Sequence, residues 1–154
     1  MKLKMLAGIV LTSLLACERA DTQRVDLSGT IADTWVTPLT HAPGHIARGR
    51  RVFTSRESGH CILCHSVAGL DAEFQGTVGP TLTGVADRLS PAQLRLRVID
   101  YQKIVPGALM PSYYRLDGLN QVGDAYADST ILTAQEVEDV VAYLGSLSDD
   151  RPAL

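Results

Sequence analysis

The sharpest chemistry in this 154-residue chain lies in one run, Cys61-Ile62-Leu63-Cys64-His65. Two thiols separated by two residues can add across the two vinyl groups of a haem. The imidazole that follows directly then falls beneath the ring, where it can bind iron. Two rival readings use the same residue types. A zinc site needs further Cys or His ligands at suitable spacing, and none follow. A dithiol redox pair needs a βαβ setting, and the sequence offers no comparable strand pattern. The run therefore reads as the attachment site of one covalent haem c, bonded to Cys61 and Cys64 with His65 as an iron ligand.

A second iron ligand has one main candidate. Met110, in Leu109-Met110-Pro111, lies well downstream, and Met1 and Met5 fall in a segment that processing would remove. A thioether on the far side of the iron favours Fe(II) and raises the potential. The ordinary role of a methionine is core filler, but the upstream motif and the following proline favour a ligand here. His41, His45 and His60 compete for the role. The first two precede the motif and the third abuts it, so each reads better as an ordinary exposed histidine. Gly79-Pro80 precedes Thr81-Leu82-Thr83-Gly84. A backbone carbonyl near Pro80 is placed to accept a hydrogen bond from the second nitrogen of His65 and so fix the ring; a plain turn is the alternative. The expected cofactor-binding set is Cys61, Cys64, His65, Met110 and Pro80, with His65 and Met110 on the metal. No general base or nucleophile accompanies them, so no catalytic residue is expected.

Three helices must position these groups. The first is expected from about Pro43 to Ser55, with Ile46, Gly49 and Phe53 along one side. The second opens at Ser90-Pro91-Ala92-Gln93, where Ser90 can cap, Pro91 suits the first helical position and Gln93 completes a capping box. It runs to about Tyr101. The third opens on another capping box, Thr133-Ala134-Gln135-Glu136, after which Val137, Val140, Val141, Leu144 and Leu147 recur at helical spacing. The missing side chain of Gly49 would let the third helix cross the first closely, near Tyr143 and Leu144. Stretches 66–89 and 102–132 carry no regular signal. Loops of that length fit a small domain when they wrap a cofactor whose apolar faces they can bury. The order of helix, haem motif, loop, helix, loop, helix predicts an all-α domain of three main helices and long loops around one haem.

The rest of the chain sets its surroundings. Residues 1–16 read as an export signal, with Lys2 and Lys4 before an apolar stretch from Leu6 to Leu15 that is too short to span a bilayer. A short buried N-terminal helix is the alternative. The signal ends Leu14-Leu15-Ala16-Cys17, which resembles a bacterial lipobox with a larger residue than usual at Leu15. Cys17 is then either the lipidated first residue of a membrane-anchored protein, or cleavage nearby leaves a soluble periplasmic one. Residues 17–42 are polar and expected to form an extended arm, in which Trp35 is a packing residue or a pin to the body; residues 43–154 form the haem domain. Three cysteines are accounted for by the haem pair and Cys17. Phe and Trp are scarce, with Phe53, Phe74 and Trp35 alone, a gap that a haem would fill. The formal charge of −3 becomes about −5 once the two signal lysines leave 12 basic against 17 acidic residues, so nucleic acid is not an expected partner. The early cluster of Arg48, Arg50, Arg51 and Arg56 and the late Asp139, Asp149 and Asp150 read as solvated surface, or as a docking patch for a redox partner.

These features together resemble class I cytochromes c over about residues 44–147. A narrower resemblance is to the SoxX family, the monohaem subunits of SoxAX cytochrome complexes. It rests on Gly79-Pro80-Thr81-Leu82-Thr83-Gly84-Val85, on Met110-Pro111-Ser112-Tyr113-Tyr114, and on the run from Leu132 to Leu144. The methionine and C-terminal blocks are the specific ones. The resemblance implies a haem c relay within an enzyme complex (an L-cysteine S-thiosulfotransferase) that oxidatively couples thiosulfate to a cysteine of a SoxYZ-like carrier. Electrons would pass from the catalytic haem of a SoxA-like subunit to a downstream small cytochrome c, with Tyr113, Tyr114 and the arginines as candidates for the partner face. A free-standing class I electron carrier is the alternative. A ligand-sensing haem protein would need an open sixth position, against which Met110 argues.

Overall fold

The computed structural model describes residues 30–149. The export signal and Cys17 lie outside them. Three helices carry the domain: α1 (Ile46–Thr54), α2 (Pro91–Asp100) and α3 (Ala134–Leu144). The long connections contain single 3-10 turns at Cys61–Leu63, Val85–Asp87, Tyr101–Lys103 and Asp124–Tyr126.

Helix starts follow local chemistry where the sequence supplies it. In α2 the Gln93 N–H donates to the Ser90 hydroxyl and the Ser90 N–H donates to the Gln93 side chain, which satisfies two otherwise orphaned donors. Thr133 and Glu136 do the same for α3. Helix α1 has no side-chain cap of its own and begins three residues later than the sequence suggests. The His45 N–H instead donates to Asp139 of α3 at 2.8 Å, so a tertiary contact defines its start.

Glycines permit the crossing of α1 and α3. A Cβ on Gly49 would overlap the Asp139 carbonyl and lie 2.8 Å from the Tyr143 Cβ. A Cβ on Gly44 would likewise overlap the Glu138 carbonyl. The backbones therefore approach as close as a missing side chain allows. Phe53 and Tyr143 fill the crossing, with ring centroids 5.4 Å apart and planes tilted by 57°. Ile62, Leu96, Ile99, Leu132, Val137 and Val140 complete the core. Leu147, beyond the end of α3, is also buried, and its carbonyl accepts from the Ala86 N–H at 3.0 Å.

Two expectations need correction. The arm is not strandless: β1 (Thr30–Ile31) and β2 (Thr34–Trp35) pair antiparallel in a minimal hairpin. Four residues are too few for an alternation to show in sequence. The hairpin is strapped to the body by charges. Arg97 reaches Asp33 at 3.1 Å, and Arg95 donates to the Trp35 carbonyl at 3.0 Å. Arg95 also forms a buried, two-pronged pair with Glu138 at 2.8 and 2.9 Å, and Glu138 accepts from the Leu39 N–H at 2.8 Å. Trp35 is both core residue and anchor point. Second, Asp139 is not a solvated acid. It is 2 % exposed and paired with Arg48 at 2.6 and 2.8 Å. Burial pushes its carboxyl pKa up, but hydrogen bonds from Arg48, the His45 N–H and Gln135 outweigh that and hold it below the usual carboxylate value.

Candidate haem site

Cys61, Cys64 and His65 project from one short turn. His60 enters it in the left-handed conformation (φ 57°), and the N–H groups of Cys64 and His65 both donate to the Cys61 carbonyl, at 3.1 and 2.9 Å. The turn packs Ile62 into the core while Cys61, Cys64 and His65 face a cavity of about 480 Å³. That volume lies in the range of cofactor pockets. Phe53, Val85, Leu94, Val98, Val140 and Leu144 give it an apolar lining drawn from all three helices. The connection 78–82 and the segment 108–113, with Met110, supply the remaining wall.

The loop after the motif is stitched back onto it. Gly76 and Gly79 donate backbone N–H groups to the carbonyls of Ile62 and Cys64, each at 2.8 Å, and the Leu82 N–H donates to Ser66 at 2.8 Å. This brings the Pro80 carbonyl to 2.7 Å from His65 Nδ1. When Nδ1–H donates there, Nε2 keeps its lone pair free for a metal. Gly79 forms the bed of the ring: a Cβ on it would lie 2.7 Å from His65 Nδ1 and 2.9 Å from Nε2. The need for glycine at this position is invisible in sequence beyond the Gly-Pro pair itself.

Cys61 and Cys64 are half-buried in the wall and form no disulfide. Before a haem is attached, burial pushes the Cys61 pKa up to about 12 and keeps the sulfur a neutral thiol. Tyr113 lies beside Cys61 in the wall, and burial raises the pKa of its phenol. The family resemblance made Tyr113 a candidate for the partner face; the structure places it in the cavity wall, 5 % exposed. Its carbonyl accepts from the Leu132 N–H at 3.0 Å, which turns the segment inward. Tyr114 is half-buried. Of the early arginines, Arg48 is engaged by Asp139, and Arg56 donates to the Glu73 and Phe74 carbonyls. Arg88 and Arg97, which sequence reading missed, line the cavity instead. Arg88 donates to the carbonyls of Thr81, Thr83 and Gly84 and is in no ion pair among the described residues. His41 and His45 are exposed, His60 is half-buried, and none of the three lines the cavity.

The residues present fit a haem on the chemistry of their donor set. One apolar cavity gathers two cysteine sulfurs, an imidazole with an oriented Nδ1, a thioether and the guanidinium of Arg88, which has no acidic partner among the described residues. Among the described residues no group of three or more His, Cys, Asp or Glu side chains comes together as a bare metal site would require.

The three-helix frame with its Cys-x-x-Cys-His turn defines a class I cytochrome c. The chain belongs to the cytochrome c family, whose model matches residues 46–148, and it carries covalently bound haem c. Within that family it is a cytochrome c of the SoxX type. It is similar to a chain in the crystal structure of SoxXA from P. pantotrophus at 37 % identity and a TM-score of 0.73, covering 77 % of this chain and 92 % of that one. The c-type cytochrome SorU from Sinorhizobium meliloti is a weaker match, at 27 % identity and a TM-score of 0.44, covering 68 % of this chain and 91 % of that one. No curated protein matches the sequence significantly.

Proposed function

We propose that this chain is the electron-transfer subunit of a SoxAX-type complex that oxidatively conjugates thiosulfate to a carrier-protein cysteine. Bound haem supplies a one-electron Fe(III)/Fe(II) couple. Cys61 and Cys64 would tether it through thioethers, His65, its ring fixed by the Pro80 carbonyl, would bind the iron, and Met110 would supply a second iron ligand. Phe53, Val98, Val140 and Leu144 exclude water, which with the thioether favours the reduced form. Arg88, which has no acidic partner among the described residues, is suited to pair with a propionate. The chain itself performs no bond-making step on thiosulfate. It receives electrons from a SoxA-like partner acting on a SoxYZ-like carrier and passes them to a small cytochrome c, in the periplasm or at a membrane face if Cys17 is lipidated.

The observation that carries this reading is the likeness to a SoxXA chain at 37 % identity over 92 % of that chain's length. Leu109 and Val78, which are 88 % and 71 % exposed at the rim of the cavity, suit burial in an interface. The test is isolation of the native protein under gentle detergent and identification of what co-purifies. A stoichiometric haem-bearing partner, an interface of about 1,000 Å² or more, and electron transfer driven by thiosulfate with a carrier thiol are expected. A lone monohaem monomer that exchanges electrons freely with other cytochromes would instead make the chain a free-standing carrier.

A further inference from the structure

Asp100 is fully buried, yet it closes the C-terminal end of α2, where the helix dipole disfavours a carboxylate. A buried carboxylate persists only with strong partners. Both of its partners come from the segment just after Met110. The Ser112 hydroxyl donates to Oδ1 at 2.5 Å, and Arg115 donates to Oδ2 at 2.8 Å. Arg115 also donates to Gln102 at 3.3 Å, and Gln102 donates to the Ala108 carbonyl at 3.2 Å, so the cluster grips the chain on both sides of Met110. The Tyr114 N–H donates to the Ile99 carbonyl at 3.1 Å beside it.

Residues 104–123 contain no helix or strand. Local structure therefore does not fix where the Met110 thioether stands, and Leu109 beside it faces solvent. We propose that Asp100 is the positioning residue for Met110: it anchors the methionine-bearing segment to the end of α2 and so keeps the thioether on the iron. This rests on the reading of Met110 as the axial ligand. The buried Arg95–Glu138 pair offers a comparison, since it straps the N-terminal arm rather than this segment.

The test uses the haem-loaded protein and its Asp100→Ala, Arg115→Gln and Ser112→Ala variants, with Glu138→Gln as the comparison. Two signals are read: the thioether-to-ferric-iron charge-transfer band, and carbon monoxide uptake by the ferrous form. Asp100→Ala and Arg115→Gln are expected to weaken the band and raise the fraction open to carbon monoxide roughly tenfold or more, because one side of a buried ion pair is removed. Ser112→Ala moves the same way by less. Glu138→Gln lowers the melting temperature and leaves both signals as in the wild type. If Asp100→Ala fails to accumulate, Arg115→Gln decides. Variants with an unchanged band and no carbon monoxide uptake would overturn the proposal, as would a Glu138→Gln variant that loses the band equally. A wild type that lacks the band and already takes up carbon monoxide would instead sink the axial role of Met110, and this proposal with it.

Discussion

Gly79→Ala is the smallest change that reaches the electronics of the haem site. The added Cβ would stand 2.7 Å from His65 Nδ1 and 2.9 Å from Nε2, closer than non-bonded atoms tolerate. The Gly79 N–H is itself bonded to the Cys64 carbonyl at 2.8 Å, so the backbone has little room to yield and the ring must shift. The 2.7 Å contact between Nδ1 and the Pro80 carbonyl is then lost. That bond raises the basicity of the imidazole and so favours the ferric state; its loss raises the potential. Its net worth is about 0.5–1.5 kcal/mol. With about 1.4 kcal/mol per tenfold and about 59 mV per tenfold for one electron, the shift is roughly 20–65 mV upward if the bond serves the ferric state alone. A spectroelectrochemical titration of the purified protein measures it, with a low-spin spectrum confirming that His65 remains bound. A midpoint within about 10 mV of the wild type, or one that moves downward, would refute the assignment of this hydrogen bond to the iron ligand.

Other outcomes follow from the same site and its supports. Met110→Ala should open the sixth position to carbon monoxide and lower the potential; an unchanged spectrum and potential would remove Met110 from the metal. Asp139 has a folded pKa below its unfolded value of about 3.9, so its pairing stabilises the fold fully above that value and the benefit fades as pH falls through the lower folded pKa. Asp139→Asn should therefore be less stable at neutral pH and show a flatter loss of stability below about pH 4; acid unfolding parallel to the wild type would count against the Arg48 pair. Cys17→Ser should move the protein from the membrane to the soluble fraction, and a wild type that is already wholly soluble would end the lipid-anchor reading.

Much of this protein was legible because its chemistry is local. Five consecutive residues, Cys61 to His65, identify the cofactor through a fixed covalent requirement, and one turn suffices to present them. The capping boxes at Ser90 and Thr133 mark two helices because each is satisfied within four residues. Gly49 announced a helix crossing because only a missing side chain allows so close an approach. Long-range pairing left no such mark. Arg95 and Glu138 lie 43 residues apart, and Arg48 and Asp139 lie 91 apart. As separate charged residues they look like surface; only the folded chain turns them into one buried and one half-buried pair that strap the arm and start α1. Tyr113 points inward, and Asp100 holds the segment around Met110, for the same reason. The sequence by itself determined which cofactor the chain carries, since that depends on residue type and spacing along one turn. The tertiary structure alone decided how the side chains of its site are held, because burial, charge pairing and ring orientation depend on what the fold brings in from elsewhere in the chain.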